Sequence, residues 1–214
     1  MLIPPVTAMP EDEARDFIEA QPFGTWVAQV DGQPEAHHLP FELVRGGSAP
    51  DRLRFHVSRG NPAWQCAGLD EPTLVIFLGA HAYVSPGWMP ARDTHGKVAP
   101  GWNYAAVHVW GPVRVVRDAD WLQAHVSALS ARMEQGRPRP WHTGEPPPGF
   151  ISASVDYIVG FEMTITRCQG KQLASQQYNP ATRQAIAAGL RREPQATPAA
   201  TVADMIERTR SMRA

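Results

Sequence analysis

Apolar and polar residues alternate with a period of two along much of the first half of the chain, and that pattern predicts strands. Residues 24–30 (GTWVAQV) are rich in Thr, Trp and Val, and Asp31-Gly32 follows as a two-residue hairpin signal. Pro34–Val44 reads as the returning strand, Arg45–Asp51 as a Gly-, Ser- and Pro-rich turn, and Leu53–Val57 as a half-buried third strand. Thr73–Gly79 (TLVIFLG) is the most apolar run and predicts a central buried strand. Tyr104–Val116 predicts another, interrupted by a bulge or bend at Gly111-Pro112. Tyr157–Thr166 is read as the last strand.

Helical spacing appears mainly at the edges of this pattern. Pro10 precedes Glu11, Asp12 and Glu13, which put carboxylates in a first helical turn, and Ala14, Phe17 and Ile18 form one apolar face. Asp118 caps a helix running to the neighbourhood of Gln135, with Trp121, Leu122, Val126, Leu129 and Met133 on one face and Gly136 past its end. Residues 136–149 are Pro-rich and predicted extended, and Lys171–Pro180 irregular. Ala181–Arg191 is a short helix and Arg192–Ala200 a linker. Thr201 caps a final amphipathic helix with Val202, Met205, Ile206 and Met212 inward; its Arg208, Arg210 and Arg213 are a small basic patch or a solvated face. About six strands, few helices and no βαβ rhythm predict a mainly β fold with peripheral helices, an antiparallel barrel. The expected division is a barrel domain over 1–180 and a helical extension over 181–214 packed on it.

The stretch Gly79–Gly111 breaks both periodicities. It carries prolines, glycines, histidines and tryptophans between two strong strands, and such a loop is either functional or part of an interface. Composition narrows the choice: a net charge of -1 gives no bulk attraction to nucleic acid, and 43% hydrophobic residues make the chain globular. Two cysteines, Cys66 and Cys168, without a CxxC pair, predict reduced thiols and a cytoplasmic location rather than a disulfide framework. No signal peptide and no membrane span is read from the sequence.

Candidate chemistry concentrates at Ser58–Gly68. Asn61 is an N-cap and Pro62 a first helical residue, so backbone donors at a helix start, the Ser58 hydroxyl and the Arg59 guanidinium form a candidate phosphate site; the alternative is a capped connector with a solvated Arg. His37 and His38 are adjacent, so on a strand they point to opposite faces and cannot both serve one site. No HExxH, Cys/His metal spacing, GxSxG, Walker loop or GxGxxG is present. A barrel with a phosphate-type corner and surplus Trp and Tyr points to a flat aromatic phosphorylated ligand, and a flavin mononucleotide (FMN) meets that description.

Five segments then share an order and spacing: His38-Leu39-Pro40, Gly60-Asn61-Pro62-Ala63-Trp64, His81-Ala82-Tyr83-Val84-Ser85-Pro86, Trp102-Asn103-Tyr104 with Ala106-Val107-His108, and Val159-Gly160-Phe161. The chain resembles the PaiB-type "FMN-binding negative transcriptional regulator" family over nearly its whole length. The resemblance implies an FMN-binding split β-barrel of the pyridoxamine-phosphate-oxidase-like class, a homodimer with FMN at the subunit interface, acting in a bacterial cytoplasm. It also implies that Ser58, Arg59 and Asn61 hold the phosphate, with Trp64 beside them. His38, Leu39 and Pro40 would lie along the ring, and Trp102, Asn103 and Tyr104 close to it. A late family motif is matched loosely at Leu173-Ala174-Ser175-Gln176-Gln177, which leaves Ser175 and Gln176 rather than Lys171 as candidates. Ala91–Val98 reads as an insertion. Three functions stay open: a flavin-binding regulator with DNA as partner, although no helix-turn-helix is seen; an FMN-dependent oxidoreductase of a small molecule, with His81, His108 and Tyr83 as proton-donor candidates; and a haem-binding or haem-degrading relative.

Overall fold

The alternation at the start of the chain folds as a hairpin. In the computed structural model, which describes residues 1–66, 69 and 71–193, β2 (Phe23–Val30) and β3 (Gln33–Pro40) pair antiparallel around Asp31 and Gly32. Both turn residues have positive φ, 50° and 77°, which is the twist a two-residue hairpin requires. The strand expected to run on to Val44 stops at Pro40. Phe41 is buried, its N–H donates to the Pro22 carbonyl at 2.8 Å, and β4 (Glu42–Val44) continues in a different sheet.

Among the described residues ten strands form two antiparallel sheets. β1 (Ala8–Met9), β10 (Arg167–Leu173), β7 (Gly101–Gly111), β6 (Thr73–Val84), β2 and β3 lie side by side in that order in the larger one. β4, β5 (Arg52–Ser58), β9 (Ile158–Thr164) and β8 (Val113–Val116) make the smaller. Inward residues of both sheets meet in an aromatic core. Trp26 lies 5.1 Å from Phe55 and 5.0 Å from Phe161, Phe55 stacks on Phe161 at 5.0 Å, and Phe41 meets Phe77 edge-on at 5.3 Å. Such pairs add about 0.5–1.5 kcal/mol each beyond their area burial. This is a split β-barrel.

The Gly111-Pro112 interruption is a passage between sheets rather than a bulge within one strand. Thr164 N–H donates to Pro112 O at 3.1 Å and Thr166 N–H to Trp110 O at 2.9 Å, so β7, β8 and β9 are clasped at the crossing. β9 is not the last strand. β10 follows it, paired with β7 from Arg167↔Trp110 to Leu173↔Tyr104, and the expected irregular stretch begins only after Leu173.

α1 (Glu11–Ala20) buries Ala14 and Ile18 as expected. α3 (Ala119–Glu134) is capped by the Asp118 side chain and ends before Gly136 (φ 80°), but the buried face is Leu122, His125 and Leu129. Met133, expected inward, is 40% exposed. The Pro-rich segment leads into an unexpected short helix, α4 (Phe150–Val155). Residues Met1–His81 with Tyr104–Ala174 form one compact unit. Ala82–Asn103 with residues 175–193 form a second, in which Val84, Met89 and Ile186 are buried and Trp88, Val98, Tyr178 and Leu190 pack on them. This unit holds α2 (Ala91–Thr94) and α5 (Pro180–Arg192), the predicted helix at 181–191. The helix expected from Thr201, with Val202, Met205, Ile206, Met212 and Arg208, Arg210 and Arg213, lies outside the described residues, as does most of the linker before it. Among the described residues no helix is long and apolar enough to cross a membrane.

Candidate functional site

Alternation along β3 decides what each residue of His37–Pro40 faces. Trp26 and His37 are cross-strand partners, their rings 5.3 Å apart on the core side. The next pair, Thr25 and His38, points to the outer face, where Thr25 Oγ1 and His38 Nδ1 lie 3.0 Å apart. Leu39 turns inward against the core, and Pro40 shares the outer face with His38.

The end of β5 builds the second part. Asn61 caps a single 3-10 turn, Pro62–Gln65, and its Oδ1 accepts from Ala63 N–H at 2.9 Å. The expected helix is therefore too short to act as a dipole, and the donors here are side chains. Ser58 Oγ accepts from Gly60 N–H at 3.3 Å, and Asn61 Nδ2 lies 3.2 Å from His37 Nδ1. Trp64 folds back so that its indole N–H donates to the Arg59 carbonyl at 2.9 Å. The Arg59 guanidinium is seated on the following strand's entry. Its Nε donates to Asp156 O at 2.6 Å and its Nη2 to Ile158 O at 3.3 Å, which leaves three of a guanidinium's five N–H groups. Arg117 adds a second cation, its Cζ 4.8 Å above the Trp64 ring.

Tyr104 belongs to the same unit, under the Lys171 ammonium at 5.3 Å; that lysine also donates to Leu2 O at 3.1 Å. In the second unit Asn103 and Ser175 are joined, Nδ2 to Oγ at 3.0 Å. Ser175 is buried with φ 59°, a left-handed conformation unusual for a residue with a Cβ. Gln176, half-buried, follows it. Trp102 is 56% exposed and meets Tyr83 edge-on at 6.2 Å.

Sequence reasoning missed His37, Arg117 and a buried polar chain on the smaller sheet. His37 was one of two adjacent histidines, and only its cross-strand partner tells which faces Asn61. In the buried chain His56 Nδ1 and His125 Nε2 are 3.1 Å apart, and His125 Nδ1 is 3.1 Å from Glu42 Oε2. Trp121 stacks on His125 at 5.3 Å. Burial, and then the neighbouring His125, lower the His56 pKa to about 4. On the same sheet the Glu162 carboxyl receives Arg54 and Arg114 at 2.9 Å each. Burial pushes it up, but those hydrogen bonds outweigh burial and hold it below the usual carboxylate range.

Comparisons with known proteins agree with this architecture. A family model described as "Putative FMN-binding domain" matches residues 1–167. The chain is 30% identical over 171 residues to "Protease synthase and sporulation protein PAI 2" of Bacillus subtilis, covering 78% of each chain. Among solved structures it is similar to the flavocytochrome Anf3 of Azotobacter vinelandii (TM-score 0.55, 15% identity, 78% of this chain and 69% of that one). It is also similar to an FAD- and haem-binding protein of Mycobacterium smegmatis (TM-score 0.53, 22% identity, 84% and 78%).

Proposed function

The chain belongs to the family described as "Putative FMN-binding domain", and from that premise we propose that it works as an FMN-binding homodimer in transcriptional control. FMN is the cofactor of this family. Its phosphate is held by Ser58, Arg59 and Asn61 with Trp64 packed beside them. When bound, FMN supplies an isoalloxazine ring able to accept electrons or a hydride.

One observation carries the dimer: an apolar row left on the outer face of the larger sheet. Phe23 on β2 and Leu78 on β6, neighbouring strands, are 63% and 53% exposed, and Pro40 and His38 lie on the same face of β3. Large apolar side chains grouped on a sheet face mark an interaction surface. A second copy of the chain covers it, and His38 and Pro40 then belong to the seam. The Bacillus subtilis relative is named a sporulation protein, and a control role for the present chain is compatible with that name.

Five measurements test the reading. Size-exclusion chromatography with light scattering should give a dimer, and Leu78→Asp with Phe23→Asp should give monomers; a monomeric wild type removes the seam. A visible spectrum should show flavin bands after FMN is added, and a colourless protein that does not bind FMN sinks the cofactor assignment. Binding to DNA upstream of its own coding region should weaken steeply with salt. Turnover of NAD(P)H by the loaded protein without any DNA binding favours an oxidoreductase instead. Arg59→Ala should weaken FMN binding by about 1.5–3 kcal/mol, the worth of a charged hydrogen bond. Unchanged affinity would show that Arg59 serves only the carbonyls of Asp156 and Ile158.

A further inference from the structure

We infer that His37, held in a single tautomer by Asn61, donates a hydrogen bond from Nε2 to the phosphate of the bound flavin. The inference rests on the flavin reading above and assigns to that site a residue which the sequence left as one of two alternatives.

The tautomer follows from a chain of three groups. Ala63 N–H donates to Asn61 Oδ1 at 2.9 Å, which fixes the carboxamide so that its oxygen faces Ala63 and its nitrogen faces His37. An amide nitrogen donates and does not accept. Asn61 Nδ2, 3.2 Å from His37 Nδ1, therefore donates to the ring, and Nδ1 carries the lone pair. The proton of the neutral imidazole sits on Nε2.

That N–H is left over. The His37 side chain is only 10% exposed, pinned by Trp26 at 5.3 Å. Its Nε2 is buried and has no hydrogen-bond partner among the described residues. Among the described residues the Glu35 carboxylate stands closest, its Oε2 4.0 Å away and beyond hydrogen-bond reach. Folded proteins rarely leave a buried donor unpaired, so an acceptor is missing. The surrounding groups say what kind. Ser58 Oγ already accepts from Gly60 N–H and keeps its own O–H to give, and Asn61 Nδ2 has a second hydrogen. Hydrogens left over on His37 and on the Asn61 side chain that holds it, with Ser58 three residues before Asn61, complement an anion with several oxygens, which a phosphate ester is. His38, on the outer face with Thr25, is excluded from this set by the alternation of the strand.

The test is a fluorescence-quenching titration of FMN and of riboflavin, which lacks the phosphate, into the full chain at pH 8. His37→Phe keeps an aromatic ring against Trp26 and removes the donor. Loss of a hydrogen bond to a charged oxygen should weaken FMN binding ~10-fold or more, and riboflavin affinity should stay within about twofold. Equal FMN affinity in a variant with a native circular dichroism spectrum overturns the inference, and so does an equal loss for riboflavin. Glu35→Gln should leave FMN binding unchanged or tighter, because it removes a repulsive carboxylate; weaker binding counts against the phosphate. Should His37→Phe fail to fold, histidine nitrogen NMR on the wild type decides. The His37 Nε2–H signal should be that of the Nε2 tautomer and move on adding FMN but not riboflavin, and a signal that stays put overturns the assignment. If wild type binds no FMN, the flavin reading has failed on its own, and titration with inorganic phosphate read on the same signal still decides whether His37 binds an anion.

Discussion

Lowering the pH from 7.5 to 4.5 should cost the fold about 2.5 kcal/mol through His56 alone, and His56→Phe should remove that slope. Glu42, His125 and His56 form one oriented chain. The Glu42 carboxylate stands 3.1 Å from His125 Nδ1, and His125 Nε2 stands 3.1 Å from His56 Nδ1. Protonating His56 would place a cation in a buried site beside His125, on a sheet that already carries Arg52, Arg54 and Arg114 around the single Glu162 carboxylate. Its folded pKa is accordingly lowered from 6.5 to about 4. Between those values the unfolded chain binds a proton that the native chain does not. Stability is therefore complete above pH 6.5 and falls as the pH drops towards 4. Glu162 and Asp51 have depressed folded pKa values, so the stability each adds is present above the ordinary carboxylate range and lost only below this window. His108, lowered chiefly by burial, adds a slope of the same sign, so the quantity to read is the difference between wild type and variant. Urea unfolding at pH 7.5, 6.0, 5.0 and 4.5 measures it. His56→Phe should be less stable than wild type at pH 7.5, having lost the bond to His125, yet lose less between 7.5 and 4.5. Parallel curves for the two proteins would show that His56 takes up its proton at the same pH in the native and the unfolded chain.

How far such features were legible varies along the chain. The β2–β3 hairpin was readable because its signals are local: alternation, then a dipeptide that tolerates positive φ. β10 was not. Its sequence, RCQGKQL, has no apolar alternation, and it is held by partners far away in the chain, β7 on one side and the two residues of β1 on the other. Gly170 lets it approach β1 closely, since a Cβ there would lie 2.7 Å from Met9 Cβ. The break at Phe41 has the same character: the run Pro34–Val44 is uniformly strand-like, and only the tertiary bond from Phe41 N–H to Pro22 O makes it change sheets.

The candidate site divides the same way. Asn61 was legible as a cap because an Asn before a Pro at a helix start has one structural use, and the structure shows that cap. What the cap's other end does was not legible, because His37 lies 24 residues away and reaches Asn61 only through the register of β2 with β3. His125 was hidden more deeply. In a helix read for its apolar face it counts as polar, yet it is among the most buried side chains in the chain, because Glu42 and His56 satisfy both ring nitrogens. The stretch Gly79–Gly111, which looked like an aromatic loop, is mostly ordinary structure. Its first residues extend β6, its last ones are β7, and Met89 and Val98 pack in the small core with Ile186. Of its large apolar side chains, Trp102 and Tyr83 stay exposed.

The crossing between the two sheets sets the second large effect: Gly111→Ala should destabilise the protein by about 3 kcal/mol or more. The residue does not need an unusual φ. It needs the absence of a side chain, because a Cβ at this position would stand 1.9 Å from the Thr164 carbonyl oxygen and 2.9 Å from its carbon. No rotamer relieves that contact, since the obstacle is backbone. The backbone itself is held from both sides, Thr164 N–H on Pro112 O and Thr166 N–H on Trp110 O, so moving it apart breaks two backbone hydrogen bonds. For a chain of this size the loss corresponds to a fall in Tm of roughly 6–12 °C. Gly101→Ala is the matched control, because nothing lies within 4 Å of a Cβ there, and it should change stability by no more than about 0.5 kcal/mol. Thermal unfolding of the two variants beside wild type separates the cases. If Gly111→Ala melts with the control, the sheets can open at the crossing without cost. The three strands joined there would then be a hinge rather than the fixed corner from which β7 and β8 take their places in different sheets.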